Sequence, residues 1–124
     1  MEGLVTKVGI ATAIAILLGA VFVSPSNTAG GTFLYWASPQ VKTGSIRTCY
    51  NFANDVMQRQ NFQNIRRSGS EVTGSSGSTY AAITCIGTTP RATAVVMVVG
   101  SDGQETARIR DTLRNKIAGI VQID

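Results

Sequence analysis

Cys49 and Cys85 are the residues of this chain best placed to do covalent chemistry with each other. They lie too far apart in sequence for a C-x-x-C redox motif. The chain has no histidine, so two cysteines alone make an incomplete metal set. A structural disulfide is the chemistry left to them, and it expects an oxidising compartment. Two buried free thiols are the alternative, because free cysteine is commonly buried.

The lack of histidine also removes Ser/His and Cys/His nucleophile pairs within one chain. Lys116 is the sole lysine from residue 45 onward. A serine–lysine pair is conceivable there, but a single lysine on a charged helix face reads as solvated. The carboxylates Asp55, Glu71, Asp102, Glu105, Asp111 and Asp124 are dispersed and form no obvious glycosidase pair. Gly74-Ser75-Ser76-Gly77-Ser78 has the composition of a phosphate cradle. It lacks the Gly-Lys-Ser/Thr step into a helix, and a strand follows it instead. No dinucleotide fingerprint is present. No catalytic residue, metal ligand or cofactor is therefore assigned.

A helix and a strand must hold the two cysteines. Ser45 caps a helix running to about Arg59 or Gln60. Ile46, Cys49, Tyr50, Ala53, Val56 and Met57 recur along it at helical spacing, so Cys49 sits on the buried stripe. Phe62 to about Thr73 reads as a first strand, with Gly69 an irregular point. Gly74–Ser78 is a flexible hairpin loop. Tyr80–Ile86 is the second strand. Alternation puts Ala81, Ile83 and Cys85 on one face and Tyr80, Ala82, Thr84 and Ile86 on the other. Gly87–Arg91 is a turn around Pro90. The third strand, about Ala92–Val99, is apolar on both faces. Asp102 and Glu105 then open a second helix with capping-box spacing, and Ile109, Leu113 and Ile117 give it a buried stripe.

The expected fold is α+β. It is a two-layer sandwich ordered helix, three antiparallel strands, helix, with both helices on one face and an N-terminal apolar helix in front. The order resembles that of double-stranded-RNA-binding domains, which read helix shape and phosphates. Those domains need a basic start to the second helix. Here Ser101-Asp102-Gly103-Gln104-Glu105 is acidic, so the likeness is one of element order only. Charge points the same way. From residue 45 onward nine basic residues stand scattered against six acidic ones. That excess is too weak to imply a nucleic-acid partner.

Residues 1–26 read as a signal peptide or an uncleaved membrane anchor. Leu4–Val23 is apolar or small except for Lys7 and two threonines. Small residues fit cleavage after Ser26 or Ala29. As an anchor, the stretch at about 1.5 Å per residue would just cross a hydrocarbon core of about 30 Å. A buried helix of a soluble protein would need more core than the chain offers. Either of the first two readings exports the rest of the chain, making it periplasmic, secreted or anchored facing outward.

Residues 27–44 read as a flexible linker, and residues 45–124 as a small disulfide-stapled domain. Within the linker, Phe33, Tyr35 and Trp36 are candidates for a membrane interface, for folding back over apolar domain surface, or for contacting a partner. The outer sheet face, with Tyr80 and Ile86 and with Arg66, Arg67 and Arg91 at its edges, is the expected partner surface. The expected function is a small exported, non-enzymatic binding or envelope-associated domain. It would act through a protein partner or self-association, and through the membrane if the N-terminal segment is uncleaved. The alternatives are an extracytoplasmic hydrolase or an inhibitor of one, and, last, a nucleic-acid binder of αβββα order.

Overall fold

The structure, a computed structural model, describes residues 31–121. The expected N-terminal helix, its cleavage sites and residues 122–124 lie outside the described residues. Five strands and two helices follow one another in the order β1 (Phe33–Ala37), α1 (Ile46–Arg59), β2 (Gln63–Arg67), β3 (Val72–Ser76), β4 (Thr79–Ile86), β5 (Thr93–Gly100) and α2 (Gly103–Gly119). The strands form one antiparallel sheet in the order β1-β5-β4-β3-β2.

This corrects the expected three-stranded fold in two places. The stretch 62–73 is two strands and not one. Ser68–Ser70 turns the chain, with the Ser68 N–H donating to the Glu71 carbonyl at 2.9 Å. Gly69 thus marks a reversal where a bulge within one strand was expected. Gly74 to Ser76, expected in a loop, belong to β3 and pair with Thr79, Tyr80 and Ala81. Only Gly77 and Ser78 remain as the turn, and Gly77 takes φ 60°, which two-residue hairpins require. The second correction is β1. Phe33–Ala37, expected within a linker, pairs along the whole C-terminal half of β5.

Local chemistry sets the helix ends. The Ser45 hydroxyl accepts the Thr48 N–H at 3.1 Å, and an Asp102 carboxylate oxygen accepts the Glu105 N–H at 2.9 Å. Each supplies one of the acceptors that a first helical turn lacks. Asn61, at φ 61°, ends α1. The Asn61 N–H donates to Gln58 O and the Phe62 N–H to Met57 O, each at 3.0 Å, closing a Schellman motif.

The core lies between the helices and one face of the sheet. Cys49, Ala53, Val56 and Met57 of α1 are buried with Val72, Ala81, Ile83 and Cys85 of the sheet. Ile109, Leu113 and Ile117 of α2 are buried in the same cluster as Val96 and Val98 of β5. The Cys49–Cys85 disulfide ties α1 to β4 through that core, with the two Cα atoms 6.2 Å apart. The bond is consistent with an exported protein and an oxidising compartment. Among the described residues no helix is long and apolar enough to cross a membrane.

Candidate binding face

Among the described residues no helix lies on the opposite face of the sheet. Side chains of paired residues in an antiparallel sheet share a face, so the register gives its composition directly. One row across the strands runs Leu34, Val99, Tyr80, Ser75, Gln63. The next runs Trp36, Met97, Ala82, Thr73, Arg66. Val95 and Thr84 form a third pair, and Thr93 and Ile86 a fourth. The rows grade from apolar on β1, β5 and β4 to polar on β3 and β2.

Exposure makes this face distinctive. Leu34 is 60% exposed, Trp36 61%, Tyr80 50%, Ile86 47% and Met97 37%. From Tyr80 to Ile86 at about 3.3 Å per residue, and across the two spacings of about 4.8 Å between three strands, the apolar area measures roughly 20 by 10 Å between backbones. Strand sequence alone explains how it forms. β5 is apolar at every position from Ala94 to Val99, so its pleat must aim half of those side chains away from the core. Ala94, Val96 and Val98 go inward, while Val95, Met97 and Val99 go outward.

The structure does not gather all the residues expected at the partner surface. Tyr80 and Ile86 stand on the open face, and Arg66 stands at its far β2 side. Arg67 pairs with the buried Val72 and so belongs to the helix side of the sheet. Arg91 is exposed in the β4–β5 connection, beyond the end of the face. Of the three aromatics before the domain, only Trp36 is on the open face. Phe33 and Tyr35 pair with Gly100 and Val98 and turn toward α2. There the Arg110 guanidinium lies over the Tyr35 ring at 5.7 Å, while Arg110 Nη1 donates to the Trp36 carbonyl at 3.0 Å. Sequence reasoning missed Leu34 and Met97 as members of the face. The signal for Leu34 was its position two residues from Trp36, which places both on one side of a strand.

Reactive chemistry is sparse elsewhere. A cleft of about 540 Å³ opens between α1 and the end of α2, lined by Asp55, Arg59, Asn115, Lys116 and Val121 among others. Asp55, the carboxylate among its described lining residues, is held by Arg59 Nε at 2.9 Å. Glu105 has its pKa lowered, first by the hydrogen bond from Arg108 and then by the Arg108 charge. Both groups are on the solvent side of α2. Among the described residues no three His, Cys, Asp or Glu side chains converge as a metal site. No protein-family model matches the chain, and no curated protein matches it either.

Proposed function

We propose that this is a non-enzymatic binding domain that works outside the cytoplasmic membrane and docks a protein partner on the sheet face opposite α1 and α2. The observation that carries the reading is the five exposed apolar side chains, Leu34, Trp36, Tyr80, Ile86 and Met97, on one face of three adjacent strands. Aromatic and methionine side chains on a flat, polar-edged surface are the composition of interface cores. The polar rows on β3 and β2 supply the rim.

A hydrolase would need close carboxylates in a deep pocket, and among the described residues the cleft between the helices offers Asp55 in an ion pair instead. An inhibitor would need a protruding loop to block its target, and Gly74 to Ser76, the start of the expected hairpin loop, belong to β3 instead. Both features favour the binding reading.

The test is a photoreactive residue at position 80, compared with one at Arg114 on the solvent side of α2, in protein exported by its own host. Position 80 should label one envelope protein, and purified partner should bind wild type but lose about tenfold or more of its affinity for Met97→Lys. Equal labelling from both positions, or equal affinity for Met97→Lys, would remove the open face from consideration.

A further inference from the structure

The chain turns back through Arg66-Arg67-Ser68-Gly69-Ser70, at the tip of the β2–β3 hairpin, and all five residues are exposed. β2 is an edge strand, paired in the sheet with β3 alone. Arg66↔Thr73 and Arg67↔Val72 are the two pairs nearest the tip. The register shifts just before them, between Gln63 and Arg66, and Asn64 inside that step takes φ 53°. Two pairings therefore separate the dibasic sequence from a freely extended segment. Exposed tips of small polar residues, held by few backbone bonds, are where proteases nick folded chains.

The other basic residues of the described chain sit in firmer backbone. Arg47 lies in the first turn of α1. Arg59 bonds Asp55, and the Gln60 N–H that follows it donates to the Val56 carbonyl at 3.0 Å. Arg108, Arg110, Arg114 and Lys116 are inside α2. A helical peptide bond must unwind before it can lie extended in a protease cleft. Arg91 is exposed, but Ala92 after it is fully buried. Ala92 donates to the Thr43 carbonyl at 2.8 Å and accepts the Val41 N–H at 3.0 Å. The same two bonds flank Lys42, which also bridges Val121.

We infer that the Arg67–Ser68 bond is a cleavage site for arginine-specific serine proteases, and that the cut protein remains one folded molecule of two chains. The protease hydroxyl takes the Arg67 acyl group and releases the Ser68 nitrogen as a new amino terminus; water then frees Arg67 as a carboxylate. One water is consumed and the C–N bond is lost. The two pieces interlock. β1, α1 and β2 precede the cut, and β3, β4, β5 and α2 follow it. β1 stays paired with β5, and the Tyr50 hydroxyl of α1 donates to the Ser70 carbonyl at 2.5 Å. Cys49 falls on one piece and Cys85 on the other, so the disulfide becomes the covalent link across the cut. The open face is shared in the same way, with Leu34 and Trp36 on the first piece and Tyr80, Ile86 and Met97 on the second. The inference does not depend on that face having a partner.

Brief treatment of the oxidised full-length protein with trypsin tests both parts. Within residues 31–121 the first cut should fall between Arg67 and Ser68. The cut protein should keep its circular dichroism and elute as one species, and reduction should then release two pieces that end at Arg67 and begin at Ser68. Arg66→Gln with Arg67→Gln should slow the first cut about tenfold or more, because both target residues are gone while the rest of the chain opens as before. A first cut after Arg59 or Arg91, or a double variant cut as fast as wild type, would overturn the site. Loss of the native circular dichroism on cutting, with the disulfide intact, would overturn the two-chain molecule. Neither result bears on labelling from position 80, which tests the proposed function alone.

Discussion

The two faces of one sheet carry similar side chains to opposite ends. On β5, Val96 and Val98 are fully buried under the helices while Met97 between them faces solvent. On β4, Ile83 is fully buried and Ile86 is half exposed. Residue type therefore does not separate core from surface in this protein; the pleat does. The covered face is stapled, capped and close-packed. The open face has equivalent apolar chemistry and nothing among the described residues laid over it. That exposed apolar surface is what the proposed partner contact would use.

The two faces should differ in how much stability they hold. Removal of the staple should have the largest effect. Cys49→Ala with Cys85→Ala opens a loop closed across a sequence separation of 36, and the chain-entropy estimate is about 4 kcal/mol. Thermal unfolding should show a fall in Tm of more than about 10 °C. An unchanged Tm would mean that packing alone holds α1 on β4.

Next comes one residue type on opposite sides of the sheet. Leu113→Ala empties a fully buried site and should cost about 3 kcal/mol in urea unfolding. Leu34→Ala on the open face should cost less than about 0.5 kcal/mol in the monomer. Equal costs would erase the distinction between the faces.

Gly100→Ala sharpens the covered side further. A Cβ there would stand 2.5 Å from Thr106 Oγ1 and 3.1 Å from Thr79 Oγ1. The Thr106 hydroxyl is buried and committed to the Asp102 carbonyl at 2.6 Å, so it has little room to move. A loss of about 2 kcal/mol is expected, by the cost of overpacking.

The smallest effect belongs to the solvent side of α2. Arg108 lowers the pKa of Glu105, so the pair's contribution is present above the unfolded-state pKa of glutamate and fades as pH falls through the folded one. NMR titration should place Glu105 below the ordinary glutamate range, and Arg108→Gln should return it there. Stability should scarcely respond, because both groups are exposed and screened.

Much of the covered side was legible in the sequence. Ser45 and Asp102 announce their helices by capping chemistry. The stripe through Cys49, Ala53 and Val56 shows which side of α1 is buried, and alternation in β4 assigns Cys85 to the same core. The open side was harder to read. β1 carries no polar alternation, because Leu34 and Trp36 point outward and are still apolar, so a periodicity argument sees only an aromatic cluster in a Gly- and Ser-rich stretch. Its identity as a strand depends on β5, far along the chain, and no local signal encodes that pairing. The 62–73 stretch failed for the reverse reason. Ser68-Gly69-Ser70 is a local turn signal, but β2 and β3 are too polar to stand out on either side of it. Arg66 and Arg67 stand on opposite faces of the edge strand β2, because neighbouring residues on a strand cannot share a face.

The long reach from β1 to β5 also sets an order of events. Proteins are synthesised from the N-terminus, so residues 33–37 emerge well before residues 96–100, against which they pair. Cys49 likewise waits for Cys85. During that interval an uncharged aromatic segment is without its neighbour strand, and α1 is without its covalent anchor. The sheet therefore cannot assemble in the order in which its strands are made: the first strand to leave the ribosome takes its place only once the fifth has arrived.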